Sequence, residues 1–185
     1  MSRNLKPKGD LRPELFVFGS MVGGESFDPD LGPLSCDLTF VVSNDWEKIS
    51  DPGLIQTQMS LPDPESGDRI WTQPFELFYA PKAIEGWPVG VIQVWRSMGS
   101  GRQAPIAYGR FPVPFGEGRH TLDVHTWSPI GDCQLSQVAY YFGTYPHLRH
   151  FSALSQNDAR WNKVKCATSG RVRVELTIVR RNFDT

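Results

Sequence analysis

The histidines are the first residues to test for chemistry, because imidazole serves both as a general base and as a metal ligand. His147 and His150 lie three residues apart in an irregular stretch and could share a face. His120 and His125 are five residues apart on a predicted strand, so their side chains should point to opposite faces. No cysteine or acid stands at ligand spacing beside them, so ordinary surface or partly packed histidines are favoured over a zinc site.

Motifs for known catalytic machinery are missing from the sequence. It contains no G-x-S-x-G nucleophile elbow, no H-E-x-x-H zinc motif and no phosphate-binding P-loop. We therefore predict that the protein is not an enzyme and that it has no catalytic, metal-ligating or cofactor-binding residues. A hydrolase or metal enzyme that uses the His147 and His150 pair is the least favoured hypothesis.

Calcium and lipid are the two ligands that charged loops of a β-protein could bind. Calcium takes six to eight oxygens, usually from carboxylates on several loops. Two loops are acidic, but Asp and Pro are ordinary turn residues, so solvated turns are favoured over a calcium site. The acids are Asp28, Asp30, Asp63, Glu65 and Asp68. Anionic lipid would need basic residues near apolar ones, and the candidates are Lys6, Lys8, Arg12, Arg171, Arg173, Arg180 and Arg181.

Composition narrows the fold class. The 185 residues include 17 Gly and 15 Pro, with 12% aromatic residues, 21% charged residues and a net charge of −1. Frequent Gly and Pro exclude a helical bundle, the aromatic content excludes disorder, and a near-neutral charge argues against bulk binding of nucleic acid. An all-β sandwich or barrel remains. Three widely spaced cysteines are typical of reduced thiols.

The order of elements supports one domain. Residues 1–13 are polar and basic and are predicted to be a flexible arm, and residues 14–185 form a single domain with no internal repeat. The clearest strand is 171–179, where apolar and polar residues alternate. Residues 133–143 are predicted to be the one helix, because apolar side chains recur at helical spacing. The sequence has no secretory signal and no stretch of about 20 apolar residues that would span a membrane.

Several segments, taken together, resemble the B9 domain family. No single piece is specific, but their order along residues 14–184 is hard to obtain by chance. The segments are Gly86–Pro88, Ile92–Trp95, Tyr108–Gly109 with Val113–Pro114, Gly118–His120, Thr126–Pro129 and Arg180–Asp184, and Leu34–Cys36 and Trp46 also fit. The pieces at 126–129 and 180–184 most resemble a small, single-domain member of the family.

The resemblance implies a C2-like antiparallel β-sandwich with the short helix of residues 133–143 in a late loop. It implies a structural, non-enzymatic role at the cytoplasmic side of the ciliary base, in the transition zone and near the basal body and cytoskeleton. The implied partners are the first B9 domain-containing protein and the larger Meckel-syndrome member, in a membrane-associated complex needed for cilium assembly and gating. A peripheral phospholipid-binding C2-like module is the alternative.

Three residues within these segments are candidates for contact with a partner. Trp87 could anchor a turn in the core or present an aromatic surface, and Phe183 could fold back onto the sandwich or stay exposed as an anchor. Arg181 belongs to the same C-terminal segment as Phe183. The structural interpretation is preferred for each of them, with partner binding second.

Overall fold

The computed structural model describes residues 12–83, 85–99, 101–130, 147–148, 154 and 165–183. These residues contain nine β-strands and one three-residue 3-10 turn, Pro29–Leu31, whose preceding Asp28 caps it. The strands are β1 (Glu14–Glu25), β2 (Leu34–Val41), β3 (Trp46–Ser50), β4 (Leu54–Gln56), β5 (Arg69–Pro81), β6 (Val89–Ser97), β7 (Gln103–Pro112), β8 (Gly118–Pro129) and β9 (Cys166–Arg181).

The strands form two layers of one curled antiparallel sheet. The hydrogen-bonded order is β3-β5-β1-β9-β8-β7-β6-β2-β4. β7 and β8 are paired in register only at Tyr108 and Trp127. The sheet turns at this point, so that β3, β5, β1, β9 and β8 form one layer and β7, β6, β2 and β4 form the other. The predicted all-β antiparallel sandwich is confirmed.

The core lies between the two layers. Val172, Val174, Leu176 and Ile178 on β9 are at most 1% exposed and face inward, while the residues between them face out. This confirms the alternation predicted from the sequence. Such burial contributes about 1.5–3 kcal/mol for each large apolar side chain, so this strand is a main source of stability.

A second apolar cluster covers part of the outer face of the four-stranded layer. Val91 and Tyr108 are fully buried there against Leu154, with Leu148 packed beside them. The Leu148 N–H donates to the Tyr108 hydroxyl at 3.0 Å, and Arg110 donates to the Leu154 carbonyl at 3.3 Å. Because β6 is buried on both faces, its sequence is nearly continuous in apolar residues rather than alternating.

Several boundaries differ from the sequence-based predictions. The strand predicted at 171–179 is longer in the structure, because β9 runs from Cys166 to Arg181. β3 has no alternating pattern in the sequence, because all its residues after Trp46 are exposed. Pro74 lies at an edge of the sheet, because β3 pairs with β5 only at residues 78–81. The predicted helix 133–143, Cys133 and residues 1–11 of the predicted arm lie outside the described residues.

Candidate functional site

An aromatic cluster at one end of the sandwich brings together four separate parts of the chain. The Trp87 ring packs edge-on against Trp46, with ring centres 5.2 Å apart. It also contacts the rings of Phe115 and Phe183, with centres 4.9 and 6.1 Å away. Trp46 is buried, Trp87 and Phe183 are partly buried, and Phe115 is 53% exposed. The aromatic cluster, defined by these four residues, therefore runs from the core to the surface.

Two loops hold Trp46 and Trp87 side by side. The Trp46 indole N–H donates to the Glu85 carbonyl at 2.9 Å, and the Ser43 hydroxyl donates to the same oxygen at 3.2 Å. The next residue, Gly86, has φ 70°, and a Cβ there would lie 2.3 Å from the Ser43 Cβ. Only glycine fits this close approach, which explains the Gly before Trp87 in the family-like segment.

The loop between β7 and β8 is tied to Trp87 on both sides. The Trp87 indole N–H donates to the Val113 carbonyl at 2.7 Å, and the Val113 N–H donates to the Pro88 carbonyl at 3.0 Å. Two of the segments that carry the family resemblance, 86–88 and 113–114, thus meet in space. Their contact fixes the start of the loop that presents Phe115 to solvent.

Arg180 lies over the exposed side of the aromatic cluster. Its guanidinium carbon is 4.3 Å from the centre of the Phe115 ring and 5.8 Å from that of Phe183. Its backbone N–H donates to a Glu117 carboxylate oxygen at 3.0 Å. A cation over an aromatic face contributes about 0.5–1 kcal/mol at an exposed site. The surface formed by Phe115 and Arg180 is thus amphipathic, which suits contact with another protein.

Arg181 lies apart from the other two residues predicted to contact a partner. The structure brings Trp87 and Phe183 together, and Phe183 folds back onto the sandwich. Arg181 points to the outer face of the five-stranded layer, where its guanidinium is 3.4 Å from the Glu14 carboxylate. Phe115 and Arg180 were missed as cluster members. The β9 alternation was the signal for Arg180, because residues 172, 174, 176 and 178 face inward and 180 continues that series.

An arginine fills the space between the two acidic loops. The buried Arg69 guanidinium donates four hydrogen bonds of 3.0–3.1 Å to backbone carbonyls, which belong to Phe27, Asp28, Gly32 and Gly67. Its charge therefore stands among the oxygens that a cation would otherwise approach.

The acids of these loops stabilise their own turns. Asp28 accepts the Asp30 N–H at 2.9 Å, and Asp63 accepts the N–H groups of Glu65 and Ser66 at 3.0 Å each. The backbone hydrogen bonds from Ser66 and Glu65 lower the pKa of Asp63 below its usual value. Within the part of the chain that the structure describes, no three His, Cys, Asp or Glu side chains converge as metal ligands would.

The basic residues of the outer face are engaged in ion pairs. Arg171 and Arg173 contact the Glu25 carboxylate at 2.8 and 2.9 Å, and Arg173 also contacts Asp123 at 2.9 Å. This neutralises much of the charge on which anionic lipid would depend. The lipid candidates Lys6 and Lys8 lie outside the described residues.

The two histidines of β8, His120 and His125, lie on opposite sides of the strand. His120 pairs with Leu176 on the inner side of β8, and its Nε2 lies 2.8 Å from the Gly116 carbonyl oxygen. His125 pairs with Arg171 on the outer side, so the predicted opposite orientation is confirmed. His147 is described and His150 lies outside the described residues.

Comparison with known proteins gives consistent matches along the chain. A family model described as "B9-C2: Ciliary basal body-associated, B9 protein" matches residues 15–179. The chain is 31% identical to B9 domain-containing protein 2 of Danio rerio and 30% identical to that of Homo sapiens, over 172 residues each. These matches cover 92% of this chain and 95% of each relative. Among solved structures, a C2 domain of plant Extended Synaptotagmin 1 aligns with a TM-score of 0.48 at 11% identity, over 90% of this chain and 95% of that chain.

Proposed function

Because the chain belongs to the family of ciliary basal body-associated B9 proteins, we propose that it is a non-enzymatic structural component of the ciliary transition zone. In this proposal it assembles with other B9-domain proteins in a membrane-associated complex that is needed for cilium assembly and gating. The partners are the first B9 domain-containing protein and the larger Meckel-syndrome member. The family resemblance stated from the sequence is itself confirmed.

The exposed part of the aromatic cluster carries the assembly proposal. Phe115 presents a large apolar ring, more than half exposed, directly beside the charge of Arg180. Aromatic and arginine side chains provide most of the binding energy in protein interfaces. The Trp87 ring and the Arg180 guanidinium already contact the Phe115 ring in the chain alone, which reduces the conformational entropy that Phe115 loses on binding.

Anchorage at a membrane would come from the partners in this proposal. Among the described residues, no helix has the length and hydropathy needed to cross a bilayer. The alternative, a module that binds phospholipid itself, receives less support because Arg171 and Arg173 form ion pairs on the sheet face.

Co-purification with the two proposed partners tests the function. We expect a stable complex with at least one of them, and we expect Phe115→Ala to weaken it by about tenfold or more, as removal of an interface anchor does. Leu61→Ala is the matched control, because Leu61 is 69% exposed in the link between β4 and β5, away from the aromatic cluster. Failure to bind either partner would contradict the proposal. Flotation with anionic vesicles, with and without a calcium chelator, tests the lipid alternative.

A further inference from the structure

A groove follows the edge of β5 beyond the point where β3 leaves it. β3 pairs with β5 only as far as Ser50, which lies opposite Phe78, and the chain then crosses to β4 in the other layer. Residues 73–76 of β5 pair with β1 on one side, and no described strand pairs with them on the other side. The groove has a volume of about 540 Å³ and lies between these residues, the link from Ser50 to Pro52 and β4. It therefore continues the line of β3 along the edge of the sheet.

The backbone of β5 directs hydrogen-bonding groups into this groove. Pro74 has no N–H, so its nitrogen faces away from the ladder with β1, and in a strand the carbonyl of the same residue faces the same way. Glu76 lies two residues further along the strand and shares this orientation. The Glu76 N–H and the carbonyls of both residues thus form an edge on which another strand can pair.

Side-chain amides of the chain itself already bond to two carbonyls along this edge. The Gln73 amide donates to the Pro74 carbonyl at 3.2 Å, and the Gln58 amide donates to the Trp71 carbonyl at 2.7 Å, just beyond the groove. An amide N–H is the group that a neighbouring strand would offer to the same oxygens. Because a carbonyl oxygen has two lone pairs, Pro74 can still accept a hydrogen bond from a partner. The edge is thus suited to the backbone of an extended peptide.

The side chains of the groove determine which residues such a peptide would carry. Ile55 and Phe75 face the core and form an apolar floor, at 6% and 9% exposed. Glu76 is exposed on the outer side of β5, and within the described part of the chain no ion pair involves it. The other acid of the groove, Asp51, is already paired with the Lys48 ammonium at 2.7 Å. The groove therefore favours apolar side chains that face inward and a basic side chain that faces outward, beside Glu76.

The free edge has the length of a short peptide. The link at Ser50 bounds it at one end, and the Gln58 amide, bonded to Trp71, bounds it at the other. Residues 73–76 line the groove between these limits and correspond to about 13 Å of extended chain. A strand of a second sheet, usually about five or six residues long, would run into β3. A single extended segment fits this space.

We propose that the groove binds a short extended segment of another protein, which adds to β5 as a further strand. The backbone of this segment bonds to Glu76 and to the Pro74 carbonyl. Its apolar side chains cover Ile55 and Phe75, and a basic side chain pairs with Glu76. Strand addition of this kind takes its affinity from main-chain hydrogen bonds and its specificity from alternate side chains. The groove runs along the open edge of the sandwich, whereas the aromatic cluster lies at its end, so this proposal does not depend on the assembly proposed above.

Titration of the full chain with a capped six-residue peptide of alternating lysine and valine tests the proposal. We expect saturable binding and slower hydrogen exchange at the Glu76 amide. Two derivatives of the peptide carry N-methyl groups, one on the lysine amides and the other on the valine amides. Only one set of amides faces β5, so one derivative should bind at least about tenfold more weakly and the other about as well as the parent. Failure of the parent peptide to bind would overturn the proposal, and so would equal binding by both derivatives.

A charge reversal tests the contact with Glu76. Glu76→Lys should weaken binding of the parent peptide about fivefold or more, because like charges then stand opposite one another. A peptide with glutamate in place of lysine should bind this variant more tightly than it binds the wild type. Glu65→Lys, in the exposed loop between β4 and β5, changes the net charge equally and should leave both affinities unchanged. Urea unfolding shows that each variant is folded, and an equal effect of the two substitutions would contradict the proposed contact.

The same measurements distinguish two other occupants of the groove. Tighter peptide binding by the full chain with Leu5→Ser would assign the groove to residues 1–11 of the chain itself. A full chain that is dimeric in analytical ultracentrifugation, and becomes monomeric when the peptide is added, would assign it to a second copy. Either result would overturn the proposal that a segment of another protein binds there.

Discussion

The guanidinium carbon of Arg180 lies 4.3 Å from the centre of the Phe115 ring, while the next residue, Arg181, points to the opposite side of the same strand. Two adjacent arginines therefore belong to two different surfaces. Arg180 completes the aromatic cluster at the end of the sandwich, and Arg181 pairs with Glu14 on the outer face of the five-stranded layer. The alternation of β9 is what separates them.

The contact between Arg180 and Phe115 should be measurable as a coupling energy. We expect the variants Phe115→Leu and Arg180→Gln to be non-additive by about 0.5–1 kcal/mol, because each removes the same cation–π contact. The measurement is a double-mutant cycle of unfolding free energies in urea. The variants Phe115→Leu and Arg102→Gln form the control cycle and should be additive. Additivity in the first cycle would show that the two side chains do not interact.

Gly86, which precedes Trp87 of the aromatic cluster, should not tolerate a side chain. Gly86→Ala must adopt a positive φ and also bring a methyl group against Ser43, so we expect a loss of about 2–4 kcal/mol in unfolding free energy. Gly99→Ala is the control, because Gly99 has φ 73° and nothing within 4 Å of a Cβ. That change should cost only about 1–2 kcal/mol. Equal losses in thermal or urea unfolding would mean that the contact with Ser43 is not tight.

The sequence predicted the all-β sandwich well because strands and turns are encoded by neighbouring residues. The alternation in β9 and the Gly and Pro residues of the turns are signals of this kind. The aromatic cluster joins residues from 46 to 183, and their proximity depends on long-range pairing that periodicity does not contain. Trp87 and Phe183 were found through resemblance to a family, whereas Phe115 lies in the loop between β7 and β8 and carries no pattern of its own.

Arg69 should be essential for the loops at the opposite end of the sandwich. Arg69→Met keeps much of the side-chain volume but leaves four backbone carbonyls without their donor, and each unsatisfied buried group costs about 1–3 kcal/mol. Some of the four carbonyls can bond to water instead, so we expect the unfolding free energy, measured in urea, to fall by at least about 3 kcal/mol rather than by the full sum. Arg102→Met, in an exposed turn, should change stability by less than about 0.5 kcal/mol. A mild effect at Arg69 would show that the loops hold their shape without the guanidinium.

Two aspartates should respond to pH in opposite ways. Burial alone would raise the pKa of Asp51, but hydrogen bonds from Lys48, the Gly53 N–H and the Tyr79 hydroxyl lower it below its usual value. Burial raises the pKa of Asp37, and hydrogen bonds from Trp95 and Gln56 offset this only in part. Ionised Asp51 therefore stabilises the fold, whereas ionised Asp37 destabilises it.

The direction of each pKa shift determines how the unfolding free energy should change with pH. The stability that Asp51 contributes is present above the unfolded pKa of about 3.9 and is lost as the pH falls through its lower folded pKa. Asp51→Asn should thus cost about 2 kcal/mol at neutral pH, and the difference from the wild type should shrink in acid. Asp37→Asn should instead raise stability at neutral pH, because ionisation of the wild-type carboxyl is costly there, and this gain should also vanish in acid. Urea midpoints measured at a series of pH values check both profiles. If both substitutions destabilised the protein equally at every pH, the loss would come from side-chain packing and not from ionisation.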